Sequence, residues 1–221
     1  MDSENRFERG LEDRVARLEA AQAKPYGPDK SSKSIFSLRT TGGTYGGAYP
    51  AGVLHSGQTP GIAPFAVNYL LCLPFYMPDV PNIVVKIGIK VTTLCAGKHF
   101  RLGIYKDRGE PRLYPYKLII DAGVVATDTT GVKSITIRRG LPRGLYWVAL
   151  LGDDTATVRI ATFSTGDASW AVLGHNEAGD TPYVGVGVNY TYGALPDPFP
   201  TGGAEYSGAA GFPYIFLTFG T

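Results

Sequence analysis

The stretch IVVKIGIKVT, residues 83–92, decides the fold class. Ile83, Val85, Ile87, Ile89 and Val91 alternate with Val84, Lys86, Gly88, Lys90 and Thr92. A period of two is the mark of a strand with one buried face and one largely polar face. The same period returns downstream. Phe100, Leu102 and Ile104 alternate with Arg101, Gly103 and Tyr105, and Val132, Ser134, Thr136 and Arg138 alternate with Ile135 and Ile137. Residues 118–125, 145–151, 157–163 and 212–219 are further runs rich in strand formers. The turn clusters AGKH, KDRGEP, GLPRG and GDDT separate these runs, and no helical pattern lies between them. The expected fold is all-β, an antiparallel jelly-roll-like β-sandwich over residues 62–221. The terminal run FPYIFLTFGT is expected to lie buried beside an early strand, around residues 66–73.

Composition agrees. Of 221 residues, 29 are Gly, 16 Pro and 14 Tyr, and only 18% are charged. That is nearly twice the usual ~7% share of glycine and well below the usual ~25% share of charge. A net charge of +2 is too balanced for an electrostatic nucleic-acid binder. MDSENRFERG lacks the basic and apolar regions of a secretory signal. The apolar run from Ile62 to Tyr76 is interrupted by Pro64, Asn68 and Pro74, so no membrane insertion is expected. Cys72 and Cys95 are too few for a disulfide framework or a four-ligand zinc site, and read as small buried hydrophobes on neighbouring strands.

The sandwich is preceded by two segments of other character. Residues 1–24 contain the one convincing helix, over 3–23, with Ser3 as cap and Pro25 beyond its end. Leu11 and Leu18 occupy d positions of a heptad pattern and Val15 and Gln22 occupy a positions, with charge on every other face. About twenty residues are marginal as a lone helix in water. The stripe is therefore expected to pair with copies of itself as a short parallel coiled coil, or to dock on another protein. A homotrimer is the expected assembly. Residues 25–61, with KPYGPDKSSKS and TTGGTYGGAYPAG, read as a Gly/Pro-rich linker.

Candidate chemistry is sparse. His55, His99 and His175 share no metal-ligand spacing, and no G-x-S-x-G elbow occurs. Asp107, Glu110 and Asp121 could gather around calcium but lack a dedicated loop spacing. No enzyme activity, cofactor or metal is expected. The long, weakly patterned segment 164–211 is where binding would reside. Its candidates for a glycan or receptor are Trp170, Asn176, Asp180, Tyr183, Asn189, Tyr190, Tyr192 and Asp197. Flat rings beside amides and carboxylates suit a sugar face and its hydroxyls. The same rings could instead pack between protomers or over the sandwich edge.

Residues 99–152 carry a resemblance. A strand of the type RLGIY (101–105), a Gly/Pro-containing turn (107–111), DAG (121–123), TTGVK (129–133) and LPRGLYWVAL (141–150) follow one another, and ALPDPFP (194–200) precedes the terminal strand. This series resembles a recurring module of tailed-bacteriophage virion appendage proteins, the fibres and spikes of tail or head. DRVARLEA (13–20) is similar to the short oligomerising helices that begin many such fibres. The resemblance covers roughly residues 65–221 and offers no catalytic residues. It implies a structural protein of the virion, assembled in the host cytoplasm. Residues 1–61 would attach it to other virion proteins, and the sandwich would face a host-surface glycan or receptor. The alternative it leaves open is a capsid decoration or tail connector with a purely structural role.

Overall fold

A computed structural model describes residues 44–46, 61–64, 66–77, 83–109, 112–153, 157–163, 183–207 and 212–220. The coiled-coil seam of Leu11, Val15, Leu18 and Gln22 lies outside them. Among the described residues there are thirteen strands and no helix. In chain order they are β1 (Thr44–Gly46), β2 (Gly61–Pro64), β3 (Tyr69–Met77), β4 (Ile83–Thr93), β5 (His99–Asp107), β6 (Pro115–Ala126) and β7 (Gly131–Gly140). Then come β8 (Gly144–Gly152), β9 (Arg159–Phe163), β10 (Gly185–Asn189), β11 (Ala204–Tyr206), β12 (Phe212–Pro213) and β13 (Ile215–Gly220).

The strands form two sheets, and every strand pairing is antiparallel. One sheet has the order β11-β10-β3-β8-β5-β6. The other is built around β4, which pairs with β7 and with both β13 and β9; β1 lies beyond β13, and β9 also carries β2 and β12. Between the sheets sits the main apolar core. Leu71, Leu73, Phe75 and Met77 of β3 and Tyr146, Val148 and Leu150 of β8 cluster with Ile87, Ile89 and Val91 of β4 and with Ile215, Leu217 and Phe219 of β13. The result is a β-sandwich-like all-β fold.

The YLLCLPFYM and GLYWVALLG strands, β3 and β8, are apolar almost throughout because both of their faces are buried. Leu70, Cys72, Trp147, Ala149 and Leu151 point away from the inter-sheet core into a second buried cluster. Tyr146 and Trp147 thus face opposite ways, as successive strand residues must. Tyr146 enters the main core and returns its hydroxyl to the Pro142 carbonyl at 2.9 Å.

Four readings of the sequence meet a different outcome. Strict alternation from Ile83 fails at the start of β4, where the register to β7 shifts between Val84 and Lys86. Such a bulge turns the buried set to Val84, Ile87, Ile89 and Val91, leaving Ile83 and Val85 half-buried. The terminal strand β13 does not lie beside residues 66–73, because both edges of β3 are taken by β8 and β10; it pairs with β4 and β1 instead. The TYG of β1 falls within the stretch read as linker. It joins the sheet by backbone pairing (Thr44 opposite Thr218), which needs no side-chain period. Finally, Cys72 is buried on β3, whereas Cys95 follows β4 and is half-buried, so the two free thiols do not sit on neighbouring strands.

Candidate functional site

Among the described residues, the outer face of the six-stranded sheet is covered mainly by the irregular segment 190–203, with Leu113 and Tyr114 beside it. Leu195 and Phe199 from this segment complete the second buried cluster with Leu70, Cys72, Tyr105, Trp147 and Val186. Phe199 meets both Tyr105 and Tyr114 edge-on, each with centroids 5.5 Å apart. The approach needs a glycine on β5. A Cβ on Gly103 would stand 2.3 Å from Leu195 Cδ1 and 2.7 Å from the Ile120 carbonyl oxygen.

A buried irregular segment must find partners for its backbone groups outside any ladder. Here the sheet and the residues flanking its strands supply several of them. The Tyr105 hydroxyl donates to the Pro196 carbonyl at 2.7 Å. The Asp121 carboxylate accepts from Leu195 N at 3.1 Å. Phe199 N donates to the Tyr116 carbonyl at 2.8 Å, and the Tyr114 hydroxyl bridges the Pro200 carbonyl and Gly203 N at 2.7 and 2.8 Å. In return Asp197 accepts from Leu118 N at 3.1 Å. Arg112 pairs with Glu205 at the margin.

Two aspartates anchor this clasp. In DAG the register of β5 to β6 skips a residue, with Leu102 opposite Gly123 and Gly103 opposite Asp121. Gly123 takes φ 98°, and its N–H bonds Asp121 Oδ1 at 3.1 Å, so the motif is a bulge with its own acceptor. Asp121 is further held by Arg101 Nε, 2.9 and 2.8 Å from its two oxygens. Asp107 accepts the Trp147 indole N–H at 2.7 Å, Tyr114 N at 3.0 Å and Gly109 N at 2.7 Å. Gly103 and Asp107 lie four residues apart on β5, roughly 13 Å. Asp107 and Asp121 therefore serve opposite ends of the clasp, and do not converge with each other as a calcium trio would. Glu110 lies outside the described residues, among which no group of three His, Cys, Asp or Glu could hold a metal.

Burial raises the Tyr105 phenol far above its ordinary value, with Cys72, Asp121, Tyr190 and Asp197 adding to it. Burial likewise pushes the Cys72 thiol well up.

At one end the clasp opens onto a polar cluster. Asn68, at φ 53°, donates its N–H to Gly152 O and accepts Tyr190 N on its carbonyl and Tyr192 N on its side-chain oxygen (2.7 and 2.8 Å). That holds the Tyr192 backbone near Gly152, the residue before Asp153. Asp153 in turn accepts His99 N at 2.7 Å and lies 3.2 Å from His99 Nδ1. His99 and Arg101 project from the same face of β5, two residues apart. Burial raises the Tyr192 phenol; Asp153 adds to this, Arg101 opposes it, and Asp121 adds again. Among the described residues, neither Arg101 Nη, nor His99 Nε2, nor the Tyr192 hydroxyl has a hydrogen-bond partner.

Of the residues singled out in the sequence, Tyr190 and Tyr192 pack partly buried against the second cluster. Asp197 is exposed and tied to Leu118. Tyr183 is half-buried just before β10, and Asn189 is exposed at its end, opposite Tyr69. Trp170, Asn176 and Asp180 lie outside the described residues. Sequence reading did not connect His99, Arg101 and Asp153 with Tyr192. The available signal was the pair His99 and Arg101, polar at alternate positions on the face opposite Phe100, Leu102 and Ile104. No protein-family model and no curated protein sequence matches the chain.

Proposed function

We propose that this chain is a structural appendage of a tailed-bacteriophage particle, a fibre or spike that anchors by its N-terminus and presents a jelly-roll-like sandwich to the host surface. It acts there by binding glycan and has no catalytic role. One observation carries the reading. Five of the six segments of the appendage resemblance meet in one clasp, while TTGVK leads into β7 of the other sheet: Arg101 from RLGIY, Asp107 from the turn, Asp121 and Gly123 from DAG, Trp147 from LPRGLYW, and Leu195 to Pro200 from ALPDPFP. These residues hold a rigid outer layer on a sheet, which suits display of a binding face. In the same reading residues 1–24 zip three copies together, and this multivalency strengthens weak glycan contacts.

The second reading, a capsid decoration or connector, gains from the way Tyr190, Tyr192 and Phe199 pack back onto their own sheet. Immunogold electron microscopy of purified particles, with antibody against the full chain, separates the two. Gold on a projecting fibre or spike supports the appendage. Gold spread over the capsid lattice or at a tail joint supports the connector, and particles without gold contradict both. Light scattering of the purified chain at three times its own mass supports the trimer, and a monomer contradicts it.

A further inference from the structure

We infer that the outer face of the seven-stranded sheet is a docking surface for an acidic polysaccharide, one with a carboxylate on its repeating unit. This deepens the host-attachment reading by naming the class of glycan, and rests on it. The observation is a segregation of charge between the two sheets. The described strands of the seven-stranded sheet carry Lys86, Lys90, Lys133, Arg138, Arg139 and Arg159 and no carboxylate. The described carboxylates lie elsewhere. Asp107, Asp121 and Glu205 are on the six-stranded sheet, Asp153 follows its β8, Asp197 is in the segment that covers it, and Asp128 is in the turn between β6 and β7. A surface of one sign concentrates and steers ligands of the other.

Strand pairing lays part of this charge out on a flat, open face. Ile87 and Ile89 enter the core, so Lys86 and Lys90 on either side of Gly88 point outward. The register lines up Thr218, Lys86 and Thr136 across β13, β4 and β7, and sets Gly88 opposite Ser134 and Lys90 opposite Val132. Lys86, Lys90, Ser134 and Thr136 are all exposed. Arg159 of β9 pairs with Thr93, and its neighbour Ile160 takes the core side, which puts Arg159 on the outer side. The two lysines stand roughly 13 Å apart along β4. A compact anion meets one of them, whereas a polymer charged at intervals meets both, and the Ser134 and Thr136 hydroxyls beside them suit its sugar hydroxyls. Phe216 lies across Gly88 and is buried, so it offers no open ring on which a nucleic-acid base could stack.

The test is titration of the full chain with polygalacturonate, alginate and hyaluronate, with neutral dextran and duplex DNA alongside. Binding of at least one acidic polysaccharide is expected, weakening as salt is added, with none to dextran. The double variant Lys86→Gln, Lys90→Gln should weaken it about tenfold, as two solvent-exposed ion pairs would. Lys106→Gln with Lys117→Gln takes the same charge from two exposed, paired positions of the six-stranded sheet and should bind as wild type. If the first double variant misfolds by circular dichroism, Lys90→Gln alone decides, at about threefold. Undiminished binding by the β4 variants overturns the inference, and so does an equal loss in both double variants, which would reflect net charge and no particular face. A wild-type chain that binds none of the acidic polymers, or binds duplex DNA as tightly at the same salt, also overturns it. Each of these leaves host attachment standing through another site, whereas the parent reading fails on particles without gold.

Discussion

The two faces of the six-stranded sheet are buried by different means. The inner face packs apolar side chains of β3, β5 and β8 against a second sheet whose own backbone is paired strand to strand. The outer face is covered by residues 190–203, of which no residue is part of a strand. Their carbonyls and N–H groups have to be matched one at a time, and the partners include Tyr105, Tyr114, Tyr116, Asp121 and Asn68. Burial of an irregular segment thus draws polar side chains into strands that are otherwise apolar. An unmatched buried group would cost about 1–3 kcal/mol, as much as about one to four buried methylenes.

Truncation of Trp147 should separate the faces most strongly. Trp147→Ala removes a fully buried indole and takes one of its three donors from Asp107, so a loss of about 3–5 kcal/mol is expected in urea unfolding, together with disorder of the segment. Leu150→Ala on the inner face should lose about 2–5 kcal/mol while the segment stays docked. Equal loosening of residues 190–203 in both variants would break the distinction. Gly103→Ala comes next. It pushes against Leu195 and the Ile120 carbonyl, at an expected ~1–3 kcal/mol. Asp121→Asn keeps the shape but removes the charge opposite Arg101, and about 1–3 kcal/mol is expected from the weakened bonds. At the small end, Val132→Ser on the open face of β7, where the side chain is 64% exposed, should change stability by less than about 0.5 kcal/mol.

Alkaline titration sharpens the same comparison. The Tyr105 phenol is raised by burial from an ordinary value of 10.0. Above that pH the unfolded chain loses a proton that the folded chain keeps. The stability this group contributes is whole below pH 10 and falls as pH rises further, by about 1.4 kcal/mol per pH unit. Tyr105→Phe should flatten the fall while lowering stability at neutral pH through loss of the Pro196 bond, as urea unfolding from pH 8 to 11 would register.

Strands were legible where one physical period governed them. β5, β7, β8 and the body of β4 follow alternation or a continuous apolar run. β1 was not legible, because three residues are too few to show a period. The bulge at Val84 was not legible either, since an extra residue erases the alternation that would announce it. Much of the clasp could be glimpsed as motifs, yet its meaning could not. Asp107 and Asp121 look like a ligand pair in sequence, and only the register of β5 shows them at opposite ends. Tyr192 stood out as an aromatic, whereas His99 at the start of β5 and Asp153 just past β8 are joined only by the pairing of those strands.

Amide hydrogen exchange of the full chain tests most directly whether residues 190–203 are a structural layer. Protection of Leu118, Leu195, Phe199 and Gly203 N–H comparable to that of β8 is expected, because each donates into the clasp. Exchange of these amides at open-loop rates while β8 stays protected would contradict it.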